Sequence, residues 1–117
     1  MTYDTRARSQ NTFTGLKETA VALAAYEVDL SAGNYFTKTA SGTPTFTVTN
    51  VPASGTTSSF ILELTNGGDA TITWMTGVTW AAATAPTLTS GGLDILGFYT
   101  TDGGTTWRGL VLGQAVA

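Results

Sequence analysis

The stretch TFTVTNV, residues 45–51, alternates without interruption: Phe46, Val48 and Asn50 fall on one side, and Thr45, Thr47 and Thr49 on the other. A period of two marks a β-strand with one face turned to a core. After the loop VPASGTT (51–57), SSFILELTN (58–66) repeats the pattern, with Phe60, Leu62 and Leu64 on one face and Ile61 and Glu63 on the other. Two such runs in succession, separated by Gly, Pro and Ser, predict an all-β chain.

Working outward, the same grammar recurs. Upstream, YFTKTA (35–40) lies between the turn signals SAGN and SGTP. ETAVALAAYEVDL (18–30) carries two alternating sets, Val21 with Leu23 and Tyr26 with Val28 and Leu30, that are out of phase. A bulge near Ala24-Ala25 would reconcile them, which predicts one bent strand. Downstream, NGGD (66–69) predicts a hairpin loop into ATITWM, with Ile72 and Trp74 inward. A short strand is expected around Val78–Trp80, then a looser passage through Pro86, a long strand LDILGFYTT (93–101), the hairpin loop DGGTT and a last strand WRGLVLG (107–113). TNGGDATITW and TTDGGTTW echo one another, as one kind of hairpin used twice. About eight short strands with few connections long enough for a helix predict an antiparallel β-sandwich, jelly-roll-like, or a small barrel. Residues 1–17 are polar and aperiodic and read as an N-terminal arm; residues 18–117 read as one domain.

Composition narrows the function classes. Charged residues make up 11% of the 117 residues, against roughly 25% in an average domain. Thr and Gly fill the difference, which suits a surface covered by neighbours. The net charge of −3 argues against a general nucleic-acid binder. No apolar run approaches the ~20 residues of a membrane span. The N-terminus lacks the apolar segment of a secretory signal, so synthesis in a cytosol is expected, with any work outside a cell reached by another path such as lysis.

The stretch TTDGGTTWRG (100–109) brings up chemistry. Thr100, Asp102, Gly103, Gly104 and Trp107 fit the Asp-box pattern of sialidases and other glycan-processing proteins. In that pattern the carboxylate accepts from backbone N–H groups of its own turn, the glycines supply positive φ, and the Trp packs beneath. These are structural roles. A glycosidase needs two facing carboxylates, and Glu27 with Asp29, at i and i+2 on one strand face, is the best pair among eight acids. A solvated outward face is the simpler reading of both. With no His and no Cys, a Ser-His-Asp triad, a Cys-His pair and an ordinary zinc site are excluded. Asp69 and Asp102 are too few and too scattered for a calcium site. No catalytic, cofactor-binding or metal-ligating residue is therefore expected. Trp74, Trp80 and Trp107 are expected in the core, with Trp80 the least covered because AAATAP follows it.

The ordered succession DLSAGNYFTKTASG (29–42), TFTVTNVPASGT (45–56), FILELTNGG (60–68), TITW (71–74), VTWAAATAPTLTSGG (78–92) and LDILGFYTTDGGTTWRG (93–109) resembles a module that recurs in bacteriophage virion proteins, in tail-fibre segments and small capsid-associated proteins. The resemblance implies a noncatalytic β-sandwich that serves as a structural or attachment unit, and it supplies no active-site residues. One module with a short arm, where a fibre is long and modular, implies a capsid decoration (cement) protein. Such a protein binds the major capsid protein of the assembled head, often as a homotrimer, and resides in the virion. Tyr3, Arg6, Arg8 and Phe13 are residue types enriched at interfaces and make the arm the expected capsid anchor. The alternative is a tail or fibre component that touches a host glycan or receptor, with Trp80 and Tyr99 as its contact aromatics.

Overall fold

Strand pairing in the computed structural model, which describes residue 15 and residues 17–117, gives an all-β fold. Eight strands form among these residues: β1 (Ala20–Ala22), β2 (Glu27–Asp29), β3 (Tyr35–Thr39), β4 (Thr47–Thr49), β5 (Ser58–Thr65), β6 (Val78–Thr79), β7 (Leu93–Thr100) and β8 (Trp107–Gly113). One sheet has six strands in the order β1-β3-β5-β7-β8-β6, and a second pairs β2 with β4. Tyr3, Arg6, Arg8 and Phe13 of the expected anchoring arm lie outside the described residues.

The expected antiparallel pairing holds for only part of the molecule. β5–β7 and β7–β8 are antiparallel, whereas β1–β3, β3–β5, β6–β8 and β2–β4 are parallel. The reason lies in how the chain winds. β1, β3 and β5 belong to the large sheet, while β2 and β4, which connect them, belong to the small one. Parallel neighbours need a crossover of about a dozen residues or more, usually a helix. Here residues 23–34 and 40–57 supply it, each carrying a strand of the opposite layer. From β1 to β5, consecutive strands therefore do not pair, and the parallel β1-β3-β5 part of the sheet forms without a helix.

The same winding corrects the bent strand expected over 18–30. The chain leaves the large sheet at the expected point of irregularity, but the break is a change of layer, with β1 and β2 in different sheets. Lys38 of β3 closes the gap: its Nζ donates to the Leu23 and Ala24 carbonyls at 3.0 and 3.1 Å and lies 4.6 Å from the Tyr26 ring centroid. The loose carbonyls thus gain a charged donor and the ammonium gains a cation–π contact.

NGGD is not a hairpin. Asn66 adopts φ 60, a 3₁₀ turn covers Gly67–Asp69, and the chain crosses to the other layer. A Cβ on Gly68 would stand 2.5 Å from the Leu88 carbonyl oxygen and the Ser90 nitrogen, so only glycine lets the 88–90 backbone pass there. The expected strand ATITWM survives as one parallel bridge, Thr45 with Thr73, flanked by Thr71 N–H to Gly42 O and Phe46 N–H to Thr73 O, both 2.9 Å. The two echoing Gly-Gly stretches therefore do different things: one changes layer, and the other closes the β7–β8 hairpin.

The core lies between the layers. Phe36, Phe60, Leu62, Leu64, Leu96 and Phe98 point from the large sheet towards Val28, Phe46 and Val48 of the small layer. Aromatic contacts run through it, from Tyr26 edge-on to Phe46 (5.2 Å), to Trp74 (5.4 Å), to Phe98 (5.4 Å), to Phe60 (5.1 Å) and to Trp107 (5.5 Å). Such pairs add about 0.5–1.5 kcal/mol each beyond the area they bury.

Candidate functional site

The β7–β8 hairpin gathers the Asp-box residues. Thr100, buried at the end of β7, donates its hydroxyl to Asp102 Oδ1 at 2.9 Å and accepts from the Gly104 N–H at 3.1 Å. Asp102 Oδ1 also accepts from the Thr106 N–H at 2.8 Å. Gly103 and Gly104 take φ of 71 and 87, a region that side chains other than glycine rarely enter. The Thr106 N–H holds the Asp102 carboxyl below its usual value; partial burial opposes this, and the Thr100 hydroxyl adds to it. Trp107 starts β8 with its ring buried against Phe60, and its backbone N–H donates to the Gly77 carbonyl at 3.0 Å. The Thr100 and Asp102 side chains are thus spent on the turn.

Replacing Asp102 by Ala is expected to leave the fold intact and lower the melting temperature by a few degrees. Amide exchange should quicken at Thr106, whose N–H loses its acceptor. Because the folded carboxyl titrates below 3.8, the native protein should show the same local loosening as the pH falls through its folded value, and the variant should not.

The other described aspartates are also occupied. Asp29 accepts from the Ser31 hydroxyl (2.6 Å), Asn50 Nδ2 (2.7 Å) and the Ser31 N–H (2.9 Å), and in that order these hold its carboxyl down. Asn50, expected to share the inward face of Phe46, is exposed with φ 57 and reaches Asp29 instead. Asp69 accepts from the Ser90 hydroxyl and from the Gly91 N–H. Asp29 and Glu27 thus form no facing pair: the first is tied to its own turn and the second is exposed. Among the described residues, no three His, Cys, Asp or Glu side chains gather as metal ligands would. No helix among them is long and apolar enough to cross a membrane.

One acid was missed in the sequence. Asp94 is completely buried on the core-facing side of β7, in phase with Leu96 and Phe98. Burial pushes its carboxyl up, but the Thr89 N–H (2.7 Å), the Thr89 hydroxyl (2.7 Å) and the Ala115 N–H (3.0 Å) outweigh it and leave the value lowered. It is a clasp that joins the 86–92 loop and the C-terminal segment to the sheet. A charge at an inward phase position was the available signal.

The two contact aromatics part company. Tyr99 points outward from β7 and is 40% exposed. Trp80 is half-buried, contrary to the expectation of little cover. Its ring packs on Trp74 and Phe98, each at 5.5 Å, and lies over Gly109 of β8. A Cβ on Gly109 would come within 2.5 Å of that ring. Glycine inside a strand marks a close approach, and here the approaching group is the indole. Gly109→Ala is therefore expected to cost about 1–3 kcal/mol by overpacking and to red-shift tryptophan emission as the Trp80 ring is displaced. Emission and denaturation unchanged from the native protein would contradict this packing.

Beside the hairpin runs an open groove lined by Thr45, Thr47, Thr73, Trp74 and Gly104. No family model, curated protein or solved structure matches the chain.

Proposed function

We propose that this chain is a structural protein of a phage virion, a capsid decoration (cement) protein that binds the assembled head as a homo-oligomer, a trimer. It would act by burying contact area between capsid subunits. Binding the assembled shell in preference to separated subunits stabilises the shell by mass action. The fold is read as a two-layer β-sandwich. A jelly roll, whose neighbouring strands run antiparallel, describes only its β5–β7–β8 part.

The observation that carries this reading is where the acids go. Asp29, Asp69, Asp94 and Asp102 all spend their carboxylates on nearby backbone, hydroxyl or amide donors. Such groups build turns and leave contact surface, chiefly threonine and apolar side chains, as what the protein offers. That chemistry supports a noncatalytic role. The resemblance to virion modules supplies the setting, and the polar arm with Tyr3, Arg6, Arg8 and Phe13 supplies an anchor of suitable composition.

A tail or fibre role in glycan or receptor attachment is the second reading. It is favoured by the exposed ring of Tyr99 and by the uncharged groove of threonines beside Trp74. Immunogold labelling of purified particles separates the two. Dense label over the head is expected for a decoration protein, and label confined to the tail tip or fibres would replace that reading with the second. Intact particles without label would overturn both.

A further inference from the structure

The large sheet has one face on the core; among the described residues no other strand packs over the centre of its second face. On that outer face Tyr99, Leu110 and Leu112 are 40%, 45% and 55% exposed. Ile61 and Ile95 are half-buried beside them, and Gly97 lies at the centre. Gly97 pairs with Ile61 on one side and Leu110 on the other, and Leu112 leans over it to 3.1 Å from where a Cβ would be. The result is a flat apolar patch on a polar, weakly charged molecule. A contiguous exposed patch of this kind marks an interaction surface.

Its rim identifies the occupant. Glu63 on β5 sits opposite Ile95, and Arg108 on β8 sits opposite Tyr99. Gly97 lies midway between Ile95 and Tyr99 along β7, so the acid and the base occupy diagonally opposite corners of one patch. Partial burial and the neighbouring Glu63 carboxylate push the Tyr35 phenol up, and Arg108 Nη1 donates to Thr79 Oγ1 at 3.0 Å. Each corner thus has a neighbour that steadies it. A surface with an apolar centre and opposite charges at opposite corners is complementary to itself. Turning one copy over another brings each Glu63 to an Arg108 while the leucines meet. The sheet edges are poor alternatives, because β1 and β6 are too short to template another strand.

We propose that this face is where copies of the chain associate, with Leu110 and Leu112 at the centre of the contact and Glu63 of one protomer against Arg108 of the next. A two-fold axis makes this contact isologous and satisfies both such pairs. The inference shares with the function above only that copies associate. Whether the assembled protein sits on a head is read separately by gold labelling.

The test is sedimentation equilibrium of the full chain, with circular dichroism to monitor folding. The native protein is expected to be a dimer. Leu112→Asp should weaken association tenfold or more without loss of β signal, since the side chain is already more than half exposed. Glu63→Arg and Arg108→Glu should each weaken it, and the double variant should restore it. A native monomer at high concentration would overturn the proposal. So would an oligomer indifferent to Leu112→Asp and Leu110→Asp, or a charge-swapped double variant no better than its parents.

Discussion

Asp94→Ala is expected to destabilise the protein by about 3 kcal/mol at neutral pH. The carboxylate has no solvent exposure and accepts three hydrogen bonds, from the Thr89 N–H, the Thr89 hydroxyl and the Ala115 N–H. A hydrogen bond to a charged group contributes about 1.5–3 kcal/mol, and a donor left buried without a partner costs a comparable amount. The contributions are not additive, because all three end on one group. The loss should be felt first where Asp94 reaches. The C-terminal segment is held by the Ala115 N–H to Asp94 and by the Val116 N–H to the Leu93 carbonyl at 2.8 Å. Amide exchange and proteolysis near residues 114–117 should therefore rise before global unfolding. Because the folded value of Asp94 lies below the ordinary 3.8, its stabilisation is complete above 3.8 and is lost as the pH falls through the folded value. Denaturation of the native protein and of Asp94→Asn should differ most near neutrality and converge in acid. A gap that stayed constant down to the acid limit would refute a stabilising carboxylate at this position.

That clasp also shows what the sequence could and could not disclose. Strand existence and the inward faces were legible, because Phe60, Leu62 and Leu64 alternate with Ile61 and Glu63, and a period of two needs no knowledge of the partner. Partners were not legible. Alternation states which side of a strand is buried but says nothing about which strand lies beside it. Short connections favoured pairing in sequence order, and the chain instead placed β2 and β4 in the opposite layer. The phase slip at Ala24-Ala25 was visible, but a bulge and a change of layer produce the same slip. In the hairpin, the Asp102 pattern pointed to its own geometry because each of its bonds is local. The Trp80 ring packs on Phe98 and over Gly109, both far along the chain, and its cover was hidden for that reason. The outer face was equally hidden, since Leu110 and Leu112 look like core residues until β7 and β8 are placed with their other side inward.

Trp107→Ala should have the largest effect of any single substitution in the hairpin, about 3–5 kcal/mol, the usual cost of emptying a buried aromatic site. That is a large share of the ~5–15 kcal/mol by which domains are stable. Trp107 is 2% exposed and meets Phe60 at 5.5 Å, near the end of the aromatic contacts that cross the core. The turn built above it cannot move in to fill the void. Gly77, at φ 87, would place a Cβ 2.1 Å from the Thr105 carbonyl oxygen, so the 75–78 turn and the hairpin are already in contact. Trp107→Phe keeps an aromatic ring in the site and should cost clearly less. Combination with Asp102→Ala then asks whether the carboxylate and the indole serve one structure. If the Asp102 turn exists to hold the strand that Trp107 begins, the double variant should lose less than the sum of the two single losses. Strict additivity in chemical denaturation would mean that the turn is closed by its own hydrogen bonds whether or not the ring is there.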